Sequence, residues 1–347
     1  MNISSTWLTL NRACNLSCKW CYAQKMNKQD NMYLDVAKQL IDIAVGNGIK
    51  NFKLIGGEPT IYPYFFQVLE YLFNLNASVV IVTNGIKLAD KYFCLELKKF
   101  NYSKLRLGIS IKGSSDEDYL RDCGSKGYSM LLNGIRNCDE VSLNYSLSYV
   151  LTHENIKTLD MFANRIKLSN INKPIYMTYC NSVISEEDDN NVEVLLKMDY
   201  DFSHKYDLVN GILEDKLKLH QSFPLCMCET NTFFKMIEKG QINTTCHVHK
   251  RNGLIFDTDG SILLCNHLAG YGIGNFGTDF YDSSTFKKYW ESDYVLGIYN
   301  RFTSMPSDNC QKCNLVSKCG GGCFIQWFTQ DFEKYRKYQI LEHNEQY

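Results

Sequence analysis

The stretch Ala13–Gln24, ACNLSCKWCYAQ, places Cys14, Cys18 and Cys21 within eight residues in the spacing C-x3-C-x2-C. Structural zinc sites are closed by four protein ligands, and this loop has three thiols. Three thiolates can instead hold three irons of a cubic 4Fe-4S cluster and leave the fourth iron open to something that reacts. The loop follows the apolar run TWLTLN directly. It would therefore stand at the carboxyl end of a first strand, where parallel barrels build their sites.

Composition favours metal as the use of these thiols. The chain has 347 residues and 15 cysteines, 45% apolar and 22% charged residues, enough for one large or two ordinary domains. Basic and acidic residues balance, 37 against 38, so no electrostatic footprint argues for nucleic acid. The opening MNISSTWLTL lacks a basic and apolar signal pattern, and no apolar run is long enough to cross a bilayer. A cytoplasmic protein is expected, with no membrane partner. An odd cysteine count in a reducing compartment does not suit a disulfide framework, which leaves metal for the clustered cysteines. Cys94, Cys123, Cys138 and Cys180 stand apart and read as small buried hydrophobes.

Outward from the loop, β-branched or apolar runs alternate with segments of helical periodicity. The strand candidates are TWLTLN, NFKLIGG, SVVIVTNG, KLRLGISIKG, LNYSLSYVLT and PIYMTYC. Between them lie LDVAKQLIDIAVGNG, YFFQVLEYLFNL, LADKYFCLELKKF, YSMLLNGIRNC and NIKTLDMFANRIKL. Six β/α units predict an α/β fold, a partial (β/α)6 barrel with helices outside a parallel sheet. After about Asn181 the pattern degrades, beginning with the acidic stretch SEEDDNN. Short strands then return in NGLIFDTDGSILLCN, with turns at Asn252-Gly253 and Asp259-Gly260. The expected domains are 1–205, the barrel, and 206–347, a small Cys-rich domain.

CNLSCKWC resembles the signature of radical S-adenosylmethionine (SAM) enzymes, with Trp20 at the aromatic position before the third cysteine. Gly56, Gly57, Glu58 and Pro59 end the second strand like the family's GGEP motif, which holds the methionyl amino group of SAM. Thr83-Asn84-Gly85 ends the third strand. Ser110 ends the fourth and is similar to the family's ribose-contacting serine. Arg121 stands like the arginine that meets the SAM carboxylate, and VLTHEN ends the fifth strand. Singly, each feature is an ordinary turn or surface residue; together they run in family order. One departure is SIKG, with Lys112 where the family has an aspartate, so Lys112 is not taken as a ligand.

The resemblance implies that SAM completes the open iron. Reductive cleavage would give a 5′-deoxyadenosyl radical that abstracts hydrogen from a substrate, the cofactor supplying the chemistry and the barrel the aim.

Near the carboxyl terminus, CQKCNLVSKCGGGC reads C-x2-C-x5-C-x3-C, from Cys310 through Cys313 and Cys319 to Cys323. With Cys246, Gly260 and Cys265 upstream, it resembles the SPASM extension of radical SAM enzymes, which holds two auxiliary 4Fe-4S clusters. By that resemblance Cys246, Cys265 and Cys323 serve the first and Cys310, Cys313 and Cys319 the second. Taken alone, the last four could form a zinc knuckle. No cysteine follows Cys323, where the pattern has a seventh. Cys226, Cys228, Asp331, Glu333 and His343 are the candidate donors, with Cys226 or Cys228 considered for the first cluster.

SPASM proteins mostly modify peptides, so the expected activity is oxidative modification of a ribosomally made precursor peptide. A flavodoxin or ferredoxin would act as reductant, and a separate leader-binding protein is a candidate partner. Sulfatase-type activation is an alternative that Asn266 disfavours, since that branch has an aspartate after its matching cysteine. Oxidation of a small molecule such as a haem precursor is another alternative. A non-enzymatic iron–sulfur carrier or sensor would not need GGEP and Arg121.

Overall fold

The computed structural model describes the chain except residues 101–102, 181–191, 221–223, 225, 227–229, 244–245, 305, 314–315 and 329–347. The acidic stretch and the candidate donors Cys228, Asp331, Glu333 and His343 lie outside the described residues. Two compact units interleave along the sequence: Met1–Leu147 with Arg251–Ile298, and Ser148–Lys250 with Tyr299–Tyr347.

The first unit opens with β1 (Ser5–Thr9), α1 (Leu34–Gly46), β2 (Asn51–Ile55), α2 (Phe65–Asn74) and β3 (Ser78–Thr83). It continues with α3 (Lys91–Lys98), β4 (Leu105–Ile111), α4 (Asp116–Cys123) and α5 (Tyr128–Glu140). Strands β1 to β4 pair in sequence order, all parallel, with Leu8 opposite Leu54, Leu54 opposite Ile81 and Ile81 opposite Leu107. That row is wholly apolar and buried, and it lies on one face because strand side chains alternate. Helix α1 shows the matching pattern: Ala37, Leu40, Ile41 and Ala44 form one buried stripe.

Strand β5 (Tyr145–Leu151) contains the division between the units. The second unit follows with α6 (Leu159–Leu168), β6 (Ile175–Tyr179), α7 (Val192–Ile212), β7 (Leu217–His220), α8 (Thr230–Glu238), β8 (Ile242–Asn243) and α9 (His247–Lys250). Here β6, β7 and β8 are again parallel neighbours.

The chain then returns to the first unit as β9 (Gly253–Phe256), β10 (Ser261–Leu263), β11 (Gly274–Asn275) and α10 (Ser283–Trp290). Strand β9 pairs in parallel with the other edge of β1, Trp7 opposite Ile255, and β10 turns back antiparallel on β9. An exposed edge beside the cysteine loop is thereby covered. Helix α11 (Asp293–Thr303) contains the second division, and α12 (Asp308–Gln311) and α13 (Val316–Cys319) complete the described helices of the second unit. The architecture is α/β with a mostly parallel sheet, and the six expected strands each appear. Among the described residues no helix is long and apolar enough to cross a membrane.

Candidate active site

The cysteine loop leaves β1 at its carboxyl end and is tied down on two sides. On one, Gly57 N donates to Asn11 O at 2.7 Å and Glu58 N donates to Ala13 O at 2.8 Å. A β-carbon on Gly57 would lie 2.2 Å from Ala13 O, and one on Gly56 would lie 2.3 Å from Asn11 Oδ1. Only glycine permits this approach, so the GG pair is a packing requirement as well as a motif. On the other side, Ser17 N donates to Cys123 O at 2.8 Å and Lys19 N to Asp122 O at 3.0 Å. The carboxyl end of α4 thus straps the loop.

Glu58 joins the second and third strand ends. Its buried carboxylate accepts from Thr60 N at 3.1 Å, and from Thr60 Oγ1, Thr83 Oγ1 and Asn84 N at 2.7 Å each. Burial pushes its pKa up, while these hydrogen bonds pull it back down. Asn84 in turn donates through Nδ2 to Asn15 Oδ1 at 2.6 Å and approaches Cys14 Sγ at 4.0 Å. Thr83 and Asn84 therefore hold the loop end together. Pro59 is buried at the first position of a short 3-10 turn.

Cys14, Cys18 and Cys21 are half-buried on this loop. Burial raises Cys14 to about 11 and also raises Cys21, and each of the two feels the charge of Cys18. Cys18 is lowered, first by a hydrogen bond from the Cys123 thiol, and the Lys112 ammonium acts in the same direction. Cys123 is buried, as its isolation in the sequence suggests, yet it touches a loop cysteine. Nothing in its spacing shows this, because the contact is made by folding α4 back onto the loop. Lys112, set aside from the sequence, places its charge within reach of Cys18 and Cys21. Nearby cations suit a site that gathers thiolates.

Trp20 is half-buried on the same loop, and Ser110 is half-buried on β4. Arg121 lies on α4, where it donates to both carboxylate oxygens of Asp122 at 3.0 and 2.6 Å and pairs with Asp118 at 3.1 Å. Asp122 is also the residue whose carbonyl straps Lys19, so Arg121 stiffens the strap.

A buried ion pair between Arg12 and Asp257 lies beneath the loop, with side chains 1% and 4% exposed. Arg12 Nε and Nη1 find no partner among the described residues. Tyr22 packs beside it, on the apolar group of Trp7, Ile55, Ile255, Leu263 and Ala269, and its ring lies 5.4 Å from that of His267. His267 Nδ1 stands 3.5 Å from Cys265 Sγ, and burial lowers this histidine to about 4, so it is neutral at physiological pH. These residues escape a reading of the sequence because β9 and β10 return to β1 from more than 200 residues away.

The second unit contains Cys226, Cys246, Cys310, Cys313, Cys319 and Cys323. Cys313 N donates to Cys310 O at 3.1 Å, and Gly322 N to Cys319 O at 3.2 Å. Gly320, Gly321 and Gly322 have φ of 62, 75 and 78°, a left-handed run that other residues adopt only with strain. His249 approaches Gly322 O at 3.1 Å. The thiol of Cys226 is raised to about 12 by burial and then by the charges of Cys319, Cys310 and Cys313. As the side chains stand, no three His, Cys, Asp or Glu among the described residues close around a single ion.

Residues 8–166 match the Radical SAM superfamily model. The first part of the chain is a radical SAM domain. Its loop, with three thiols charge-coupled to one another and a glycine cradle beside them, fits the cluster and SAM that such domains use.

Among curated relatives, Fe-coproporphyrin III synthase of Methanosarcina barkeri is 29% identical over 43% of this chain and 37% of its own length. A probable GTP 3′,8-cyclase of Sulfurisphaera tokodaii is 26% identical over 47% and 52%. Mycofactocin maturase MftC of Mycobacterium tuberculosis is 27% identical over 46% and 41%. The chain thus spans about half or less of the relatives it matches.

The fold is shared far more widely than the sequence. Native anSMEcpe with bound AdoMet superposes with a TM-score of 0.69 at 18% identity, covering 97% of this chain and 97% of that one. Streptococcus suis SuiB bound to precursor peptide SuiA gives 0.65 at 16%, covering 95% and 74%.

Proposed function

We propose that this chain is a radical SAM maturase that oxidatively modifies a ribosomally made peptide. The observation that carries the reading is the loop of Cys14, Cys18 and Cys21 strapped to the glycine cradle and to the Glu58–Thr83–Asn84 junction. Bound together, the cluster and SAM would supply a radical able to abstract hydrogen from an unactivated C–H bond. The chain's own residues hold and shield that chemistry. The three loop cysteines would ligate iron, and the backbone of Gly56 to Pro59 would hold the amino group of SAM. Ser110 would hold the ribose and Arg121 the carboxylate, with Trp20 on the same loop as the cysteines. Lys112 offsets the negative charge of the thiolates.

A peptide substrate is supported by the likeness in fold to SuiB, solved with a precursor peptide, and by the sequence likeness to a maturase. A small-molecule reading draws on the synthase and cyclase relatives, which, like the maturase relative, match less than half of the chain. A flavodoxin or ferredoxin would deliver electrons in the cytoplasm, and a separate leader-binding protein is a candidate partner.

We further propose auxiliary clusters in the Cys-rich region, with Cys246, Cys265 and Cys323 serving one and Cys310, Cys313 and Cys319 the other. Cys226 supplies the fourth thiolate of the second. The charges of that trio acting on its thiol support this choice among the candidate donors read in the sequence.

Anaerobic reconstitution tests the whole scheme. Well over four irons per chain are expected, with 5′-deoxyadenosine released from SAM under dithionite. Replacing Cys14, Cys18 and Cys21 by alanine should remove one cluster's iron and all cleavage. Cys226→Ala should change only the second auxiliary cluster's electron paramagnetic resonance signal and leave cleavage intact. Stoichiometric zinc in place of iron would refute the scheme. For the substrate, a peptide encoded beside the gene should lose two hydrogens in mass on incubation; an unmodified peptide alongside an oxidised small molecule would favour the other reading.

A further inference from the structure

The face of the first unit's sheet opposite the apolar row carries charge. Trp7 on β1 pairs with Lys53 on β2, Lys53 with Val80 on β3, and Val80 with Arg106 on β4. These four form one cross-strand row on one face, with Lys53 and Arg106 two strand spacings apart, roughly 9–10 Å. Lys53 is half-buried and Arg106 exposed; one residue pair further up, Val82 is 36% exposed, so this face is accessible.

The Lys53 ammonium stands 4.1 Å from the centroid of the Trp7 ring. That contact satisfies one side of the ammonium and leaves its donors unused. Among the described residues neither Lys53 nor Arg106 has an ion pair or a side-chain hydrogen bond. Two cations on a partly buried strand row without a counter-charge are unfavourable unless something else supplies it. Burial, and then the charge of Arg106, push Lys53 down to about 8.

The row also lies close to the glycine cradle. Lys53 is two residues before Ile55 and three before Gly56. Two residues of strand rise about 7 Å, so an anion on Lys53 lies roughly one side-chain length from the cradle.

We propose that Lys53 and Arg106 form an anion-binding site on the open face of the sheet, and that it takes a carboxylate of the substrate, from an acidic residue of the peptide. This deepens the peptide reading above and rests on it. A carboxylate bracketed by the two cations would make charge-assisted hydrogen bonds to both, with the planar Arg106 fork suited to bidentate contact. The anchored residue's neighbours would then reach the cradle, fixing which C–H bond is presented.

Lys53 can be followed without turnover, by competitive acetylation of the reconstituted chain with SAM present and mass spectrometry of its peptide. The probes are N-acetyl-glutamate amide, its glutamine counterpart and inorganic phosphate, up to tens of millimolar. The glutamate probe should slow Lys53 labelling at neutral pH toward tenfold, because each unit of pKa rise lowers the free amine about tenfold. The glutamine probe should not, and Arg106→Gln, with an unchanged melting temperature, should abolish most of the protection. Equal protection by both amino-acid probes, no protection by glutamate, or protection insensitive to Arg106→Gln would each overturn the site. Stronger protection by phosphate would overturn the carboxylate assignment in favour of a phosphorylated ligand. Because labelling needs no product, a failed search for a modified peptide is a separate result.

Discussion

Glu58 gives the sharpest test of how the site is held. Its Oε1 accepts three hydrogen bonds, from Thr60 N, Thr60 Oγ1 and Thr83 Oγ1, while Oε2 accepts one from Asn84 N. In Glu58→Gln the amide NH2 must replace one of these oxygens. The threonine hydroxyls can turn to accept from it, but a backbone N–H cannot. Whichever way the amide points, one buried N–H is orphaned, at about 1–3 kcal/mol. Glu58→Ala orphans two backbone N–H groups, and relief of the buried charge offsets part of the loss, so about 2–4 kcal/mol is expected. Urea unfolding of the apo chain measures both.

The pH dependence of Glu58 carries a definite sign. Its folded pKa is raised above 4.5, so between that value and the folded pKa the folded state binds more protons than the unfolded one. Its contribution to stability therefore falls as pH rises through that window. The advantage of wild type over Glu58→Gln should be largest in mild acid and shrink toward neutrality. An alanine variant that loses less than about 1 kcal/mol, or a difference that grows with pH, would refute the reasoning.

The Arg12–Asp257 pair and Arg121 supply two further tests. Asp257→Ala leaves the Arg12 charge buried and unpaired and should destabilise the chain by about 3–5 kcal/mol, whereas Arg12→Met with Asp257→Leu should recover most of that in the same unfolding assay. Arg121→Ala should weaken SAM binding in equilibrium dialysis by about 1.5–3 kcal/mol, the range for a charged hydrogen bond, and unchanged affinity would assign Arg121 to the Asp122 strap alone.

Local pattern makes much of the fold legible. SVVIVTNG predicts β3 because alternation and β-branching agree, and the strand is Ser78–Thr83. LDVAKQLIDIAVGNG predicts α1 because its apolar positions fall on one stripe, and that stripe is buried. Helix α4 is absent from the helical segments read in the sequence, because Asp116–Cys123 opens with three acids in its first turn and has too little apolar periodicity to announce itself. Its signal is the Ser115 cap, which accepts from Asp118 N at 3.1 Å, with Gly124 at the far end.

What the sequence hides is what long-range pairing decides. The GG pair is readable as a motif, but the reason for it is a backbone approach from Asn11 and Ala13, 44 to 45 positions earlier, where any β-carbon would collide. Cys123 reads as filler and touches Cys18; Lys53 reads as one polar position in a strand and becomes half of a charged row only through β2–β3–β4 register. In each case the residue type is ordinary and its partner is not local. The motifs therefore identify the chemistry that the loop can hold. In the proposed site the choice of substrate would rest on positions that no motif marks, since the glycine cradle would accept SAM equally whatever stood at Lys53 and Arg106.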